Sequence, residues 1–442
     1  MRRKSRSVIV LFITTFMYLV FFSFPQVSQG EEVLFRTVGY LPDYDTMFIE
    51  RTINFKELTD VNYFSLIPQE DGSLKFTDSG APSQLELLVK EGHQHQVRVG
   101  VSIGGWGLSD YFIKATNKET LPIFIKNIKD FAIKYDLDTI DIDWEYPAED
   151  KALQFETFIK ALKADLGDEI LLSICVPTGV ASNGLATGRW EKHFTSAALN
   201  SADWVNIMAY DAQIEGFPNH SPSDLQKNNL NYWNEVMGGK HLHKLVAGVP
   251  FYAKAEDGSV MTYRKVIEEY AGVPTTEVVY LNDKDYYINN KEVIQKKVQD
   301  TIDLGGLGVM IWAPTQDAEL NNSNRLMTVV TDTVKKNQLK LDRGLVVAPA
   351  LSIGTKEVSK TVLVITGVSG LVISLGLVIG KFKFLVPKKI NGKRVNQKQL
   401  GKLIGTLLAL VASLFLLFIL LPLKLVIAII LVLGLLVYFL LK

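Results

Sequence analysis

The 442-residue sequence contains one cysteine, Cys175, so no intrachain disulfide can form and stability must come from burial of a core. That cysteine sits inside the strand-like run Ile170–Pro177 and reads as a small buried apolar residue. Histidine is also scarce. The six present show no metal-ligand spacing, His241-Leu242-His243 reads as a polar loop ahead of a strand, and no metal or cofactor is implied. Acidic residues are nearly missing from both ends: residues 1–30 hold four Lys/Arg and no acid, and residues 344–442 hold twelve Lys/Arg and one acid, Glu357. The formal net charge of zero therefore hides a central segment, 31–343, with 31 basic and 46 acidic residues, a net of −15. Such a segment repels nucleic acid and other polyanions, whereas a neutral polymer such as a glycan suits it better.

The ends read as membrane-targeting. Arg2, Arg3, Lys4 and Arg6 precede an apolar run from Val8 to Phe24, and Ser28-Gln29-Gly30 offers small residues around a cleavage point. This is the pattern of an export signal over 1–30, or of an uncleaved anchor, since the run is slightly long. Three apolar runs near the C-terminus, about 361–380, 403–421 and 425–441, predict three transmembrane helices in a region spanning 361–442. Pro422, Leu423 and Lys424 alone separate the last two, as a tight turn or a re-entrant hairpin. Lys381–Lys402 carries eight Lys/Arg and no acid, the composition of a cytoplasmic loop. The expectation is a multi-pass protein of the cell membrane, anchored in the lipid bilayer, with everything from Glu31 to about Lys360 extracellular. The spans contain no acid or histidine, which suggests anchoring and no proton relay.

Between the ends, short apolar runs alternate with amphipathic stretches. The strand candidates are Leu34–Leu41, Val61–Ile67, Val97–Gly104, Thr139–Trp144, Ile170–Val176, Trp204–Ala209, Leu245–Pro250 and Leu307–Ala313. Leu121, Phe124, Ile125, Ile128, Phe131 and Tyr135 form one helical stripe after Asn117, a plausible cap, and others follow near Ala152–Leu166, Leu225–Val236 and Glu292–Asp303. Eight strands alternating with helices predict an α/β fold, a (β/α)8 TIM barrel over 31–340 with its site at the C-terminal ends of the strands. Asp342–Lys360 then reads as a linker (341–360).

The chemistry concentrates in Leu137–Pro147, where Asp141, Asp143 and Glu145 alternate with Ile140, Ile142 and Trp144. Successive side chains of a strand point to opposite faces, so three carboxyls line one face and apolar groups the other. Like charges so close cannot all ionise, and at least one should keep its proton at neutral pH, as a general acid must. No Lys or Arg lies between Lys134 and Lys151 to form local pairs. Aromatic and polar residues gather at the other predicted strand ends: Tyr40, Trp106, Met208 to Asp211, Phe251-Tyr252 and Trp312.

Asp138-x-x-Asp141-x-Asp143-x-Glu145, followed by Tyr146-Pro147, resembles the signature of glycoside hydrolase family 18, the chitinase family, and the other strand ends extend the resemblance over nearly all of 33–335. The resemblance implies a retaining, substrate-assisted glycosidase acting on N-acetylglucosamine-containing polysaccharide, with the substrate's own acetamide as nucleophile. Glu145 would be the general acid and base, Asp143 would orient the acetamide, Asp141 would share a proton with Asp143, and Tyr210 would bind the acetamide carbonyl. Asp211, Met208 and Trp312 would contact the sugar, Trp312 as its floor, and Tyr40 and Trp106 would wall the cleft. Asp138, on the opposite parity, would be structural. The sequence departs from the family pattern at Thr139, where Gly is frequent, at Ala253-Lys254, where Gly-Arg is common, and at Ala313–Asp317. Only Ala253–Asn290 follows the seventh strand where many members carry an α+β insertion, so a reduced insertion and a shallower cleft are expected. Chitin or chitooligosaccharide, peptidoglycan or glycoprotein glycans, and an idle sugar-binding lectin stay open as readings.

Overall fold

The computed structural model describes residues 34–344 except Ala271. The expected export signal at 1–30 and the three expected membrane spans lie outside the described residues. Among the described residues no helix is long and apolar enough to cross a membrane.

Eight strands form the frame: β1 (Leu34–Pro42), β2 (Asp60–Pro68), β3 (Arg98–Trp106), β4 (Thr139–Glu145), β5 (Leu171–Val176), β6 (Trp204–Ile207), β7 (Leu245–Pro250) and β8 (Gly308–Trp312). Each pairs in parallel with the next, and β8 pairs with β1, so the sheet closes into a barrel. The expected strands are present with ends shifted by a residue or two. Their near-continuous apolar runs reflect burial on both faces, with helices outside and a filled interior. Helices Pro82–Gln94, Leu121–Lys134, Ala152–Leu166, Leu225–Val236, Lys291–Leu304 and Leu326–Lys336 make up most of the outer layer. In Leu121–Lys134 the stripe Phe124, Ile125, Ile128 and Ala132 is buried, as period 3.6 requires. Asn117 does not cap this helix. Its side chain accepts from the amides of Glu119 and Thr120 and shapes the preceding turn, while Thr120 takes the cap position.

The parity of β4 is borne out. Ile140, Ile142 and Trp144 point out into the helix layer, where Trp144 stacks on Phe112 at 4.9 Å and 7°. The acids point into the barrel. Close approach of β3 to β4 depends on Gly104, whose φ is +117° and where a Cβ would stand 2.1 Å from the Asp143 carbonyl oxygen. Thr139, the departure on β4, is accommodated across the same pair, because a Cβ on Gly100 would lie 1.8 Å from its hydroxyl.

Asp138 faces outward, as expected of a structural residue. One carboxylate oxygen binds His93 Nε2 and the Val99 amide, both at 2.9 Å. Replacing it by Ala strands that buried amide, so Asp138→Ala should lower stability by about 1–3 kcal/mol in urea denaturation while leaving kcat of the folded fraction within about twofold. The hydrogen bond to Asp138 raises the His93 pKa, so this pair's proton-linked stability is complete below the unfolded histidine value and fades as pH rises through the raised one.

The barrel extends beyond its expected end. Lys340–Leu341 pairs in parallel with Leu34–Phe35, and Asp342 binds Arg36 at 2.9 Å and Arg98 at 3.3 Å beside the buried Asp60. Residues 341–344, expected in the linker at 341–360, thus belong to the barrel. Both ends of the described chain leave at the N-terminal pole of the strands, opposite the rim that carries Glu145.

Candidate active site

The C-terminal rim opens into a cleft of about 850 Å³. Beneath the cleft lies Asp141, fully buried and surrounded by donors from four strands: Tyr40 and Ser102 hydroxyls at 2.8 Å, the Ser173 hydroxyl at 2.5 Å and the Asn206 amide at 3.2 Å. Burial raises its pKa, and these hydrogen bonds oppose the rise by favouring the carboxylate. One turn of the pleat higher, Asp143 is also buried, and its Oδ1 has no hydrogen-bond partner. Burial first, then the charges of Glu145 and Asp141, push Asp143 well above the usual carboxylate range. Glu145 is part-exposed at the mouth, raised by burial, with the Tyr146 hydroxyl favouring its ionised form. All three acids are raised by burial, Asp143 most strongly, between the donor-saturated Asp141 beneath it and the part-exposed Glu145 at the mouth.

Across the mouth, Tyr210 is pushed well above its ordinary value, first by burial. Its hydroxyl has only a weak contact with Met310 Sδ, 3.7 Å away. Asp211 follows with φ +55° and is clamped by the Tyr252 hydroxyl at 2.8 Å, Lys254 Nζ at 2.9 Å and His220 Nδ1 at 3.5 Å. Burial would raise it, but His220 and Lys254 prevail and hold it at about 2. Lys254→Met should therefore move the Asp211 midpoint up toward the ordinary carboxylate value in an NMR titration, with the opposite ionic partner gone. Met208 and Trp312 line the cleft, Trp312 lying 4.8 Å edge-on to Phe64 and 5.9 Å from Tyr40.

Cys175 is buried in an apolar cluster with Val38, Tyr40 and Met310, as its strand suggested, and its Sγ also reaches the polar network, 3.1 Å from the Tyr40 hydroxyl and 3.4 Å from Asp141. Tyr40 lines the cleft although it is only 2 % exposed, and its hydroxyl donates to Asp141, so it supports the acids as well. Trp106 is on the lip, 71 % exposed, and joins Tyr146 and Trp190 in an aromatic platform. Trp190 and His220 carried no local signal of a site role, whereas Tyr252 stood at a predicted strand end and Lys254 was marked only as a departure from the family pattern. Ser102, Ser173 and Asn206 could have been found as polar residues at inward parity within apolar strands. The segment after β7 is more than a connection: Tyr252–Ala255, Val260–Thr262, Val278–Leu281 and Lys284–Tyr287 form an antiparallel sheet, and Val260, Met261 and Thr262 line the cleft. Non-proline cis peptide bonds fall at Phe64–Ser65, Glu145–Tyr146 and Trp312–Ala313, all beside the site.

A family model described as glycosyl hydrolases family 18 matches residues 36–317, more than half of the chain and all eight strands. The chain belongs to glycosyl hydrolase family 18. Among curated relatives it is similar to a chitinase-like effector of Moniliophthora roreri, 29% identical over 45% of this chain and 53% of that one. It also resembles chitinase 1 of Aphanocladium album, 29% identical over 40% of this chain and 45% of that one. The chain thus spans about half the length of the curated relatives it matches. Of solved structures, it resembles the family 18 chitinase ChiB of Flavobacterium johnsoniae, with a TM-score of 0.59 and 25% identity over 70% of this chain and 96% of that one. The three acids and the tyrosine opposite them are therefore set in a family 18 barrel.

Proposed function

We propose that this family 18 chain is a retaining glycosidase that cleaves β-1,4 bonds of N-acetylglucosamine-containing glycans, chitin or chitooligosaccharides first among them. The observation that carries the reading is the acid series: a part-exposed Glu145 at the mouth, next to a buried Asp143 held above the carboxylate range by burial and two like charges. Glu145 protonates the glycosidic oxygen, and the substrate's acetamide oxygen attacks the anomeric carbon as that bond breaks, giving an oxazolinium ion. Asp143 orients the acetamide and, as its proton passes to Asp141, becomes the carboxylate that offsets the positive charge forming there. Tyr210, with its hydroxyl nearly uncommitted, donates to the acetamide oxygen. Glu145, now ionised, takes a proton from the incoming water, which restores the acid and releases product with net retention. Trp312 offers an aromatic face to the apolar side of the sugar.

The export-signal pattern expected over 1–30 and the apolar C-terminal runs of the sequence support the reading of an extracellular, membrane-tethered enzyme. Residues 34 and 344 at the pole opposite the rim keep the described chain ends clear of the cleft. The test is hydrolysis of N-acetylglucosamine oligomers by the full chain with product anomers followed by NMR. Initial release of the β-anomer supports the reading; glycan binding without release would leave a lectin. Activity should fall as pH rises through the raised Glu145 value, because the acid then arrives without its proton.

A further inference from the structure

One cation in the cleft is left over by this reading. Arg189 lines the cleft from the segment that follows β5, is solvent-exposed, and forms no ion pair with any described carboxylate. Lys254, the other cation lining the cleft, is consumed by Asp211. The nearest acid in sequence, Glu191, is turned to the backbone: its carboxylate accepts from the Arg189 amide at 2.8 Å and from the Thr187 hydroxyl. That buried carboxylate holds the segment in place without neutralising the guanidinium, which sits 5.9 Å from the centre of the Trp190 ring.

The neighbours give the position a meaning. Trp190 stacks on Tyr146 at 4.8 Å and 26°, Trp106 meets both edge-on, and Trp106 is in register with Glu145. This platform is on the β3–β5 side of the rim, across the barrel from Trp312 on β8. A glycan that rests one sugar on Trp312 and passes Glu145 brings its next sugar to the platform, with Arg189 at its edge. A neutral sugar offers hydroxyls and an amide there, which need no cation. A carboxylate would take two charge-assisted hydrogen bonds from the planar guanidinium. The domain's net negative charge does not forbid this, since screening confines exposed charges to about 8 Å at physiological salt.

We propose that Arg189 makes the cleft selective for a glycan whose sugar next to the scissile bond, on the Trp106–Tyr146–Trp190 platform, carries a carboxylate, as an amino sugar with an ether-linked lactyl group does. This deepens the glycosidase reading and rests on it. The experiment compares the full chain with Arg189→Gln and Arg189→Lys on two probes: N-acetylglucosamine oligomers, and oligomers alternating N-acetylglucosamine with N-acetylmuramic acid, the latter also with carboxyls methyl-esterified. Wild type should favour the free acid over its ester by about tenfold in kcat/KM, mostly through KM, and Arg189→Gln should erase that preference while Arg189→Lys keeps part of it. An equal loss on neutral and carboxylated oligomers, or indifference of wild type to esterification, overturns the proposal. If no probe is cut, the glycosidase reading has failed by itself. Tryptophan fluorescence on titration with the same probes then decides the carboxylate preference separately, and equal affinities for acid and ester overturn it.

Discussion

Glu145→Gln should lower kcat on N-acetylglucosamine oligomers by about 10²–10⁴-fold, the range attributed to a positioned general acid, with KM changed far less. The amide has the shape of the carboxyl but no proton of suitable acidity to give the departing oxygen, and as a base it cannot activate water. Glu145 is at the end of β4, part-exposed and tied mainly to the Tyr146 hydroxyl, so the barrel has little to lose from the exchange. The variant should bind oligomers with near wild-type affinity, measured by calorimetry. Full turnover by Glu145→Gln would move the acid elsewhere in the cleft and remove the basis of the mechanism.

Asp143→Asn should lower kcat by about 10²–10³-fold and, unusually for a buried substitution, stabilise the protein at neutral pH. Under the proposed mechanism the loss follows because an amide has no proton to pass to Asp141 and so cannot become the anion beside an oxazolinium ion, a role comparable to removing one preorganised electrostatic partner. The gain follows from the sign of the pKa shift. In the folded protein Asp143 is raised well above 3.8, first by burial, so between the unfolded and folded values the native state holds a proton that the unfolded chain has released. Stability falls as pH rises across that window and is whole only below the unfolded value. Asn carries no such linkage. Its urea midpoint should exceed that of wild type at pH 7, and the difference should shrink toward pH 3. A constant difference at both pH values would mean that Asp143 is not held protonated by its surroundings.

The two substitutions together separate chemistry from architecture. Asp141, saturated by hydroxyl and amide donors, is an anchor for the series, and Asp143 above it has an oxygen free for a ligand. A site built this way is destabilising in isolation and is tolerated because the surrounding barrel buries a continuous apolar core.

The period-two alternation in 139–145 was sufficient to place Asp141, Asp143 and Glu145 on one face, because a strand's side-chain direction is a local property of the backbone. The barrel was legible for a similar reason: each apolar run and each helical stripe is a short local pattern, and eight such runs with helical stripes between them leave few ways to close a parallel sheet. Strand-end placement then brought Tyr210, Asp211 and Trp312 to the rim. What those patterns do not carry is which residues from distant segments meet. Cys175 is apolar-packed, as its strand suggested, but its contacts with Tyr40 and Asp141, 135 and 34 residues away, come only from the barrel's curvature. The clamp on Asp211 by Tyr252 and Lys254, the Tyr146–Trp190 stack and the sheet after β7 depend on segments joining across the rim. Local periodicity determined the fold class and the row of acids; only the closed barrel decided each acid's partners, because proton affinity depends on burial and on neighbours that the chain order does not place side by side.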